Sequence, residues 1–326
     1  MKDIFVRDLT RFENQTVTGY FLAANRQLRT KADGSSYLSL TLADSTGQIE
    51  ARMWEIAGAG EFAAGDVLKL RGQVCRYQEK LQIKVDKLKC AEKADYDLAD
   101  FLPKTPNDVS IPALWASLKG HVSSLTDPHL RSLLQLFLED RAVAEAWREA
   151  PAAKSMHHAW IGGLLEHVVS LLDLCERTAP QYPEVHRDLL LAGAMLHDIG
   201  KLRELHWERS FGYTVEGQLL GHISIGVGMI DEKIAQVPDF PPRLRTLLLH
   251  IILSHHGRLE YGSPKLPMTA EALLLHYLDD LDAKMQTLRS ELARSVANGL
   301  AAEQPTDYIR ALERPLLDTR AWLAGS

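Results

Sequence analysis

A small β-barrel followed by an all-α domain is the architecture the sequence predicts, and three observations predict it. Short alternating strands punctuated by turn signals fill residues 14 to about 90. A stretch rich in Asp and Pro, with no sustained period, comes next. From Ile111 onward apolar residues recur at i, i+3, i+4 and i+7. These changes divide the chain into a β domain over 1–92, a linker over 93–112 and a helical domain over 113–326. A length of 326 residues fits two domains of ordinary size. With 46% apolar and 25% charged residues, collagen-like, mucin-like and disordered classes are excluded.

The N-terminal MKDIFVRDLTRF lacks the apolar core of a secretory signal, and runs such as Leu189 to Leu196 are too short to span a bilayer of about 20 residues. The expectation is a soluble, cytoplasmic protein with no membrane partner. Five strands then read as QTVTGYFLAAN, YLSLTLAD, GQIEARMWE, DVLKLRGQVCRY and LQIKVDKL. They are separated by Asp33-Gly34, Ser45-Thr46-Gly47 and Ala64-Gly65-Asp66. A long first strand, a hairpin, the EFAAGD break and a second hairpin form the pattern of an OB-fold. The linker carries Asp95, Asp97, Asp100 and Asp108 together with Pro103, Pro106 and Pro112, which disfavour helix. The helical segments are LRSLLQLFLEDRAVAEAW, GGLLEHVVSLLDLCERTA, HRDLLLAGAMLHDIG, LLLHIILSHHG and MTAEALLLHYLDDLDAKM. The C-terminal DYIRALERPLLDTRAWL is amphipathic and could pack on its own domain or on a second copy, which leaves a homo-oligomer open.

Net charge is −6, so a polyanion must meet a local basic face. Residues 14–93 carry 12 Lys plus Arg against 9 Asp plus Glu, whereas residues 111–326 carry 21 against 27. The barrel is the basic end. Three cysteines without C-x-x-C spacing argue against a disulfide framework and against a thiolate zinc site.

His197-Asp198 proves nothing alone, since 13 His and 22 Asp make about one such dipeptide by chance. Its company matters. His167 lies three residues after Leu164 and four before Leu171, on an apolar stripe; His222 opens GHISIGVGMI; His255 and His256 precede Gly257; Asp279 lies in HYLDDLDAKM, where Asp280 and Asp282 compete with it. One inward His is ordinarily a satisfied core residue. Seven buried polar groups need partners, and a shared metal centre supplies them all. Imidazole and carboxylate ligands without thiolate suit Mn, Fe, Co, Ni or Zn, and seven ligands exceed what one ion with an open position needs.

The order His167, His197-Asp198, His222, His255-His256, Asp279 resembles the two-metal members of the HD phosphohydrolase superfamily. Together with the barrel, the phrases LHDIGK, GHISIG, SHHG and LDDLDAKM are similar to the YhaM-type 3′ to 5′ exoribonucleases of bacteria. The resemblance implies a metal-dependent 3′ to 5′ exonuclease acting on single-stranded RNA, with single-stranded DNA as a second substrate and two divalent ions, Mn²⁺ first among them. It favours Asp279 as the last ligand and leaves Asp282, on the same helical face, as a partner for a histidine. Asp198 is the natural bridging ligand and catalytic centre, and Lys201, one turn after His197, could neutralise charge on the phosphate or be an ordinary solvated lysine. His157, His158 and His206 take no assigned role.

On the barrel, Arg26, Arg29, Lys31, Tyr37, Arg52, Trp54, Arg76 and Tyr77 are the expected nucleic-acid contacts, aromatic rings for bases and cations for phosphates. NRQLRTK is read as the first hairpin loop. Two other functions compete: a nucleotide or cyclic-dinucleotide phosphohydrolase, and a noncatalytic RNA-binding protein with a structural metal.

Overall fold

Strand alternation builds the first unit. A computed structural model describes residues 2–31, 34–56, 59–78, 80–97, 100–101, 110–153, 160–207, 212–297, 299–301 and 303–324. The chain divides into two compact units, residues 1–106 with 206–212, and residues 107–205 with 213–326. Strands β1 (Thr16–Thr30), β2 (Ser36–Asp44), β3 (Gly47–Met53), β4 (Val67–Tyr77) and β5 (Lys80–Cys90) close in the order β1-β2-β3-β5-β4. All pairings are antiparallel except β3 with β5, the parallel seam that closes the barrel. Alternate residues Val17, Phe21 and Ala23 on β1, Leu38, Leu40 and Leu42 on β2, and Ile49, Ala51 and Met53 on β3 fill the interior. This is the OB-type barrel that the sequence predicts.

Two details depart from the sequence reading. First, β1 does not end at Asn25: it runs to Thr30 and pairs with β2 down to Thr30 opposite Ser36, with a bulge between Ala23 and Asn25. NRQLRTK is therefore largely strand, not hairpin loop. Its side chains are exposed, but its backbone has a ladder partner, and polarity alone hid that. Second, the expected linker is partly barrel. Phe101 is buried with Leu22, Ala43 and Val67, Tyr96 packs beside it, and Ser45 N–H donates to Asp100 O at 2.9 Å. Phe101 and Tyr96 are aromatic anchors among the aspartates and prolines of this stretch. At its other end, helix α1 starts at Ile111 with Pro112 in its first turn, where proline is tolerated. The N-terminal residues also belong to this unit. A 3₁₀ turn over Val6–Phe12 buries Leu9, and Lys2 is buried against Asp44 at 3.1 Å with the Phe21 ring beneath its ammonium. Asp44 also accepts Val6 N–H at 2.7 Å and Thr46 N–H at 2.8 Å, the extra bonds a buried ion pair requires.

The second unit is helical: α1 (Ile111–Ser123), α2 (Pro128–Glu139), α3 (Arg141–Glu149), α4 (Gly163–Thr178), α5 (Arg187–Leu196), α6 (Lys201–Glu204), α7 (Val215–Ile234), α8 (Pro242–Ser254), α9 (Ala270–Ala297) and α10 (Thr319–Ala324). A two-stranded hairpin, β6 (Leu205–His206) with β7 (Gly212–Tyr213), joins α6 to α7. From Asp188 to Leu196 every residue of α5 is buried, and α4, α8 and α9 pack around it. That explains the apolar run at Leu189 to Leu196 as a core helix. Among the described residues no helix is long and apolar enough to cross a membrane. Helix starts are held by acidic caps: Asp127 accepts from His129 and Leu130 N–H, and Asp140 from Ala142 and Val143 N–H. Among the described residues the C-terminal segment forms a 3₁₀ turn at Arg310–Leu312, an isolated antiparallel bridge between Ile309 and Arg314, and the short α10, with Trp322 and Leu323 exposed.

Candidate metal centre and nucleic-acid face

Five histidines and two aspartates from α4, the α5 C-terminus, α7, the α8 C-terminus and α9 meet in the helical unit. They form two clusters. In one, His167, His197 and Asp279 place ligand atoms within 4.8 Å of one another; in the other, His222, His255 and His256 do the same. Asp198 stands between them. Its Oδ2 lies 3.2 Å from His197 Nε2 and 3.9 Å from His167 Nε2, while its Oδ1 lies 3.4 Å from His222 Nε2 and 3.8 Å from His255 Nε2. Each carboxylate oxygen faces a different cluster. Asp279 Oδ1 is 3.2 Å from His167 Nε2.

The far nitrogen of every imidazole is tied to a group that can only accept. His167 Nδ1 donates to Asp282 Oδ2 (2.8 Å), His197 Nδ1 to Ala194 O (2.9 Å), His222 Nδ1 to Glu204 Oε1 (3.2 Å), His255 Nδ1 to Ile252 O (2.8 Å) and His256 Nδ1 to Tyr261 O (2.8 Å). With the hydrogen on Nδ1, a neutral ring presents a lone pair at Nε2, the atom aimed at the cluster. His222 Nε2 and His255 Nε2 are buried with no hydrogen-bond partner. Orphaned, inward-facing acceptors beside buried carboxylates are what a divalent cation satisfies, so the residues present fit such an ion.

Electrostatics agree with this. Burial pushes the His255 imidazole well below its ordinary range, helped by His197 and His256, and burial with His222 lowers His256. His255 and His256 are therefore held toward the neutral form that can ligate. Burial would raise Asp198, but Lys201, His197 and His222 hold it well below the usual carboxylate range. His167 is the opposite case: burial would lower it, yet its bonds to Asp279 and Asp282 raise it to about 10. A positive charge is wanted at that point.

Lys201 is no solvated lysine. Its Nζ donates to Asp198 Oδ2 at 2.7 Å, so its charge is directed at the shared carboxylate. Asp282 sits behind His167 and also accepts from Ser170 Oγ at 2.6 Å, whereas Asp280 pairs with Lys284 at the surface. His206 is exposed on β6, and His157 and His158 lie outside the described residues. The residue that sequence reasoning missed is Glu204, which holds His222 from 18 positions away. Its only sequence signal was an acid closing the short KLRE turn directly after the motif.

Gly200 shows why α6 and α7 can bring these groups together. A Cβ on Gly200 would lie 1.9 Å from His222 O, so only glycine lets the turn after Asp198 press against α7.

On the barrel, directly opposed residues share a face, and register assigns them. Arg29 is opposite Tyr37, Ser39 opposite Arg52, Arg52 opposite Lys84, and Tyr77 opposite Lys80. Tyr37 and Trp54 stack with ring centroids 4.7 Å apart, Lys31 Nζ lies 5.4 Å from the Trp54 ring, and the Arg52 guanidinium 5.0 Å from the Tyr77 ring. Trp54 is 38% and Tyr77 50% exposed. Six of the eight expected contacts thus gather on one outer face. Arg26 and Arg76 do not: period 2 turns each away from its neighbours on that face, Arg26 lies over Phe62, and Arg76 pairs with Glu13 at 2.9 Å.

The HD domain family matches residues 164–284, and the OB-fold nucleic acid binding domain family matches residues 23–91. The chain is 37% identical over 283 residues to the 3′-5′ exoribonuclease YhaM of Bacillus subtilis (strain 168), covering 86% of this chain and 88% of that protein. It is 36% identical over 266 residues to the protein of the same name from Geobacillus sp. (strain WCH70), covering 81% of each.

Proposed function

Given that this chain belongs to the family of YhaM 3′-5′ exoribonucleases, and so is a metal-dependent hydrolase that binds nucleic acid, we propose how its own residues divide the work. Two divalent ions, Mn²⁺ first among candidates, would be held by His167, His197 and Asp279, and by His222, His255 and His256, with Asp198 between the two groups. Bound there, such ions polarise a phosphodiester and lower the pKa of a bound water. Asp198 spans both positions, and Lys201 balances the charge that Asp198 brings into the core. The Nδ1 ties keep five rings from rotating, so the ligand set is formed before any ion arrives.

Single-stranded RNA is the proposed substrate, with single-stranded DNA as the second. Tyr37, Trp54 and Tyr77 offer stacking surfaces that every base can use, and Lys31, Arg29 and Arg52 meet phosphates, which makes capture tolerant of sequence. The single observation that carries the two-ion reading is the split of Asp198, one oxygen to each cluster. The test is incubation with Mn²⁺ and RNA labelled at its 5′ end. Stepwise shortening with release of mononucleotides is expected, and loss of label as a single nucleotide at the outset would reverse the polarity.

A further inference from the structure

We propose that Glu204 is the positioning residue on which ion binding by the His222, His255 and His256 cluster depends. The inference rests on the reading that the two clusters hold divalent ions. It starts from a break in α7: Gly221 has φ +70° and ψ 154°, far outside the helical region, so the helix restarts at His222. A residue in the second half of a helix can tie its own Nδ1 to a carbonyl one turn back, as His197 does to Ala194 O and His255 to Ile252 O. His222 begins its helix and has no such carbonyl. Its backbone N–H is left over for the same reason.

Glu204 answers both needs with one atom. Its Oε1 accepts His222 N–H at 2.9 Å and His222 Nδ1–H at 3.2 Å, which locks the ring against its own backbone. The reach is built in. Glu204 O accepts Thr214 N–H at 2.9 Å, and a Cβ on Gly217 would stand 2.2 Å from Glu204 O, so glycine there lets α6 lie directly on the first turn of α7. Glu204 is 8% exposed. The two clusters also differ in charge. His167, His197 and Asp279 include a carboxylate and are backed by Asp282. The three-histidine cluster includes none, and beyond the shared Asp198 the carboxylate hydrogen-bonded to it is that of Glu204. An imidazole backed by a carboxylate is a stronger ligand than one left to rotate.

The test is equilibrium dialysis of the metal-stripped, full-length chain against Mn²⁺, with bound metal counted per chain. Wild type is expected to bind two ions. Glu204→Ala should bind the second about 10–100-fold more weakly and the first as wild type does. Glu204→Gln, which keeps an acceptor oxygen at the same reach, should return the second ion to within about tenfold of wild type. Glu204→Met fills the volume without an acceptor and carries the same expectation as Ala if the smaller side chain unfolds the turn. Two ions bound with wild-type affinity by Ala and Met, or equal loss of both ions, overturns the role of Glu204. A wild-type chain that binds fewer than two ions overturns the two-ion reading beneath it.

Discussion

Asp198 touches both clusters and the lysine, so its removal should separate chemistry from binding. Asp198→Ala is expected to lower hydrolysis by about 10³-fold or more, the several kcal/mol that paired ions contribute to a phosphoryl transition state. Affinity for a single strand should stay within about twofold, since strand contacts are assigned to the barrel; paired cleavage and binding assays decide it. Asp188 carries a different consequence. Its Oδ2 accepts Thr126 N–H (2.6 Å), Thr126 Oγ1–H (2.8 Å) and Asp127 N–H (2.7 Å), and Arg187 pairs with Oδ1. Burial would raise its pKa, but these donors hold it below the usual carboxylate range. A carboxylate with a depressed folded pKa stabilises in full above its unfolded value, and the contribution disappears as pH falls through the folded value. Asp188→Asn should therefore cost about 2–3 kcal/mol near neutrality and progressively less below about pH 4, measured as the gap in urea unfolding between variant and wild type. A gap that widens in acid would reverse the sign. Residue identity made the ligands legible because His and Asp on apolar stripes need a common partner. Glu204 and Ser170 were not legible, because what they touch is set by a helix break and a helix crossing, which leave no local pattern.

Elements decide whether those residues meet. Gly221 sits where an L-residue is strained, although a Cβ there would touch nothing within 4 Å. Gly221→Ala should cost on the order of 1–3 kcal/mol from backbone strain alone, and should weaken Mn²⁺ binding as His222 shifts; calorimetry in the metal-free state isolates the strain. On the barrel, Arg29→Ala, Lys31→Ala and Arg52→Ala together should flatten the salt dependence of single-strand binding by about two units, at roughly 0.7 per phosphate contact, and weaken all sequences alike. Arg26→Ala and Arg76→Ala should leave the slope unchanged, which makes them the control. Strand alternation made the five staves readable, since a half-buried ladder writes period 2 into the sequence. The last five residues of β1 were not readable, because that end of the strand is exposed and its order comes from hydrogen bonds to β2 rather than from burial. Phe101 was missed for the converse reason: one buried aromatic among aspartates makes no period.

At the scale of the molecule, charge is unevenly shared. The basic barrel stretch and the acidic helical one fit the proposal that a polyanion is captured by the first and cut in the second. Residues 107–326 produced alone should hydrolyse a small chromogenic phosphodiester while losing affinity for a long single strand by at least about tenfold. Equal affinity with and without the barrel would place the capture surface in the helices. The two units also differ in how far apart their partners lie along the chain. β1 is paired over Leu22–Thr30 with the strand that follows it, but over Thr16–Leu22 with Val67–Gln73. During synthesis at roughly 5–20 residues per second, the first half of β1 waits some 3–10 s for its partner to be made. Through that interval TVTGYFL is an open sheet edge rich in β-branched and aromatic residues, the kind of segment that pairs with other chains. The β1–β4 pairing is thus the barrel's point of exposure to aggregation, and slower translation between residues 30 and 70 should lower the soluble yield of this protein before it alters any property of the folded enzyme.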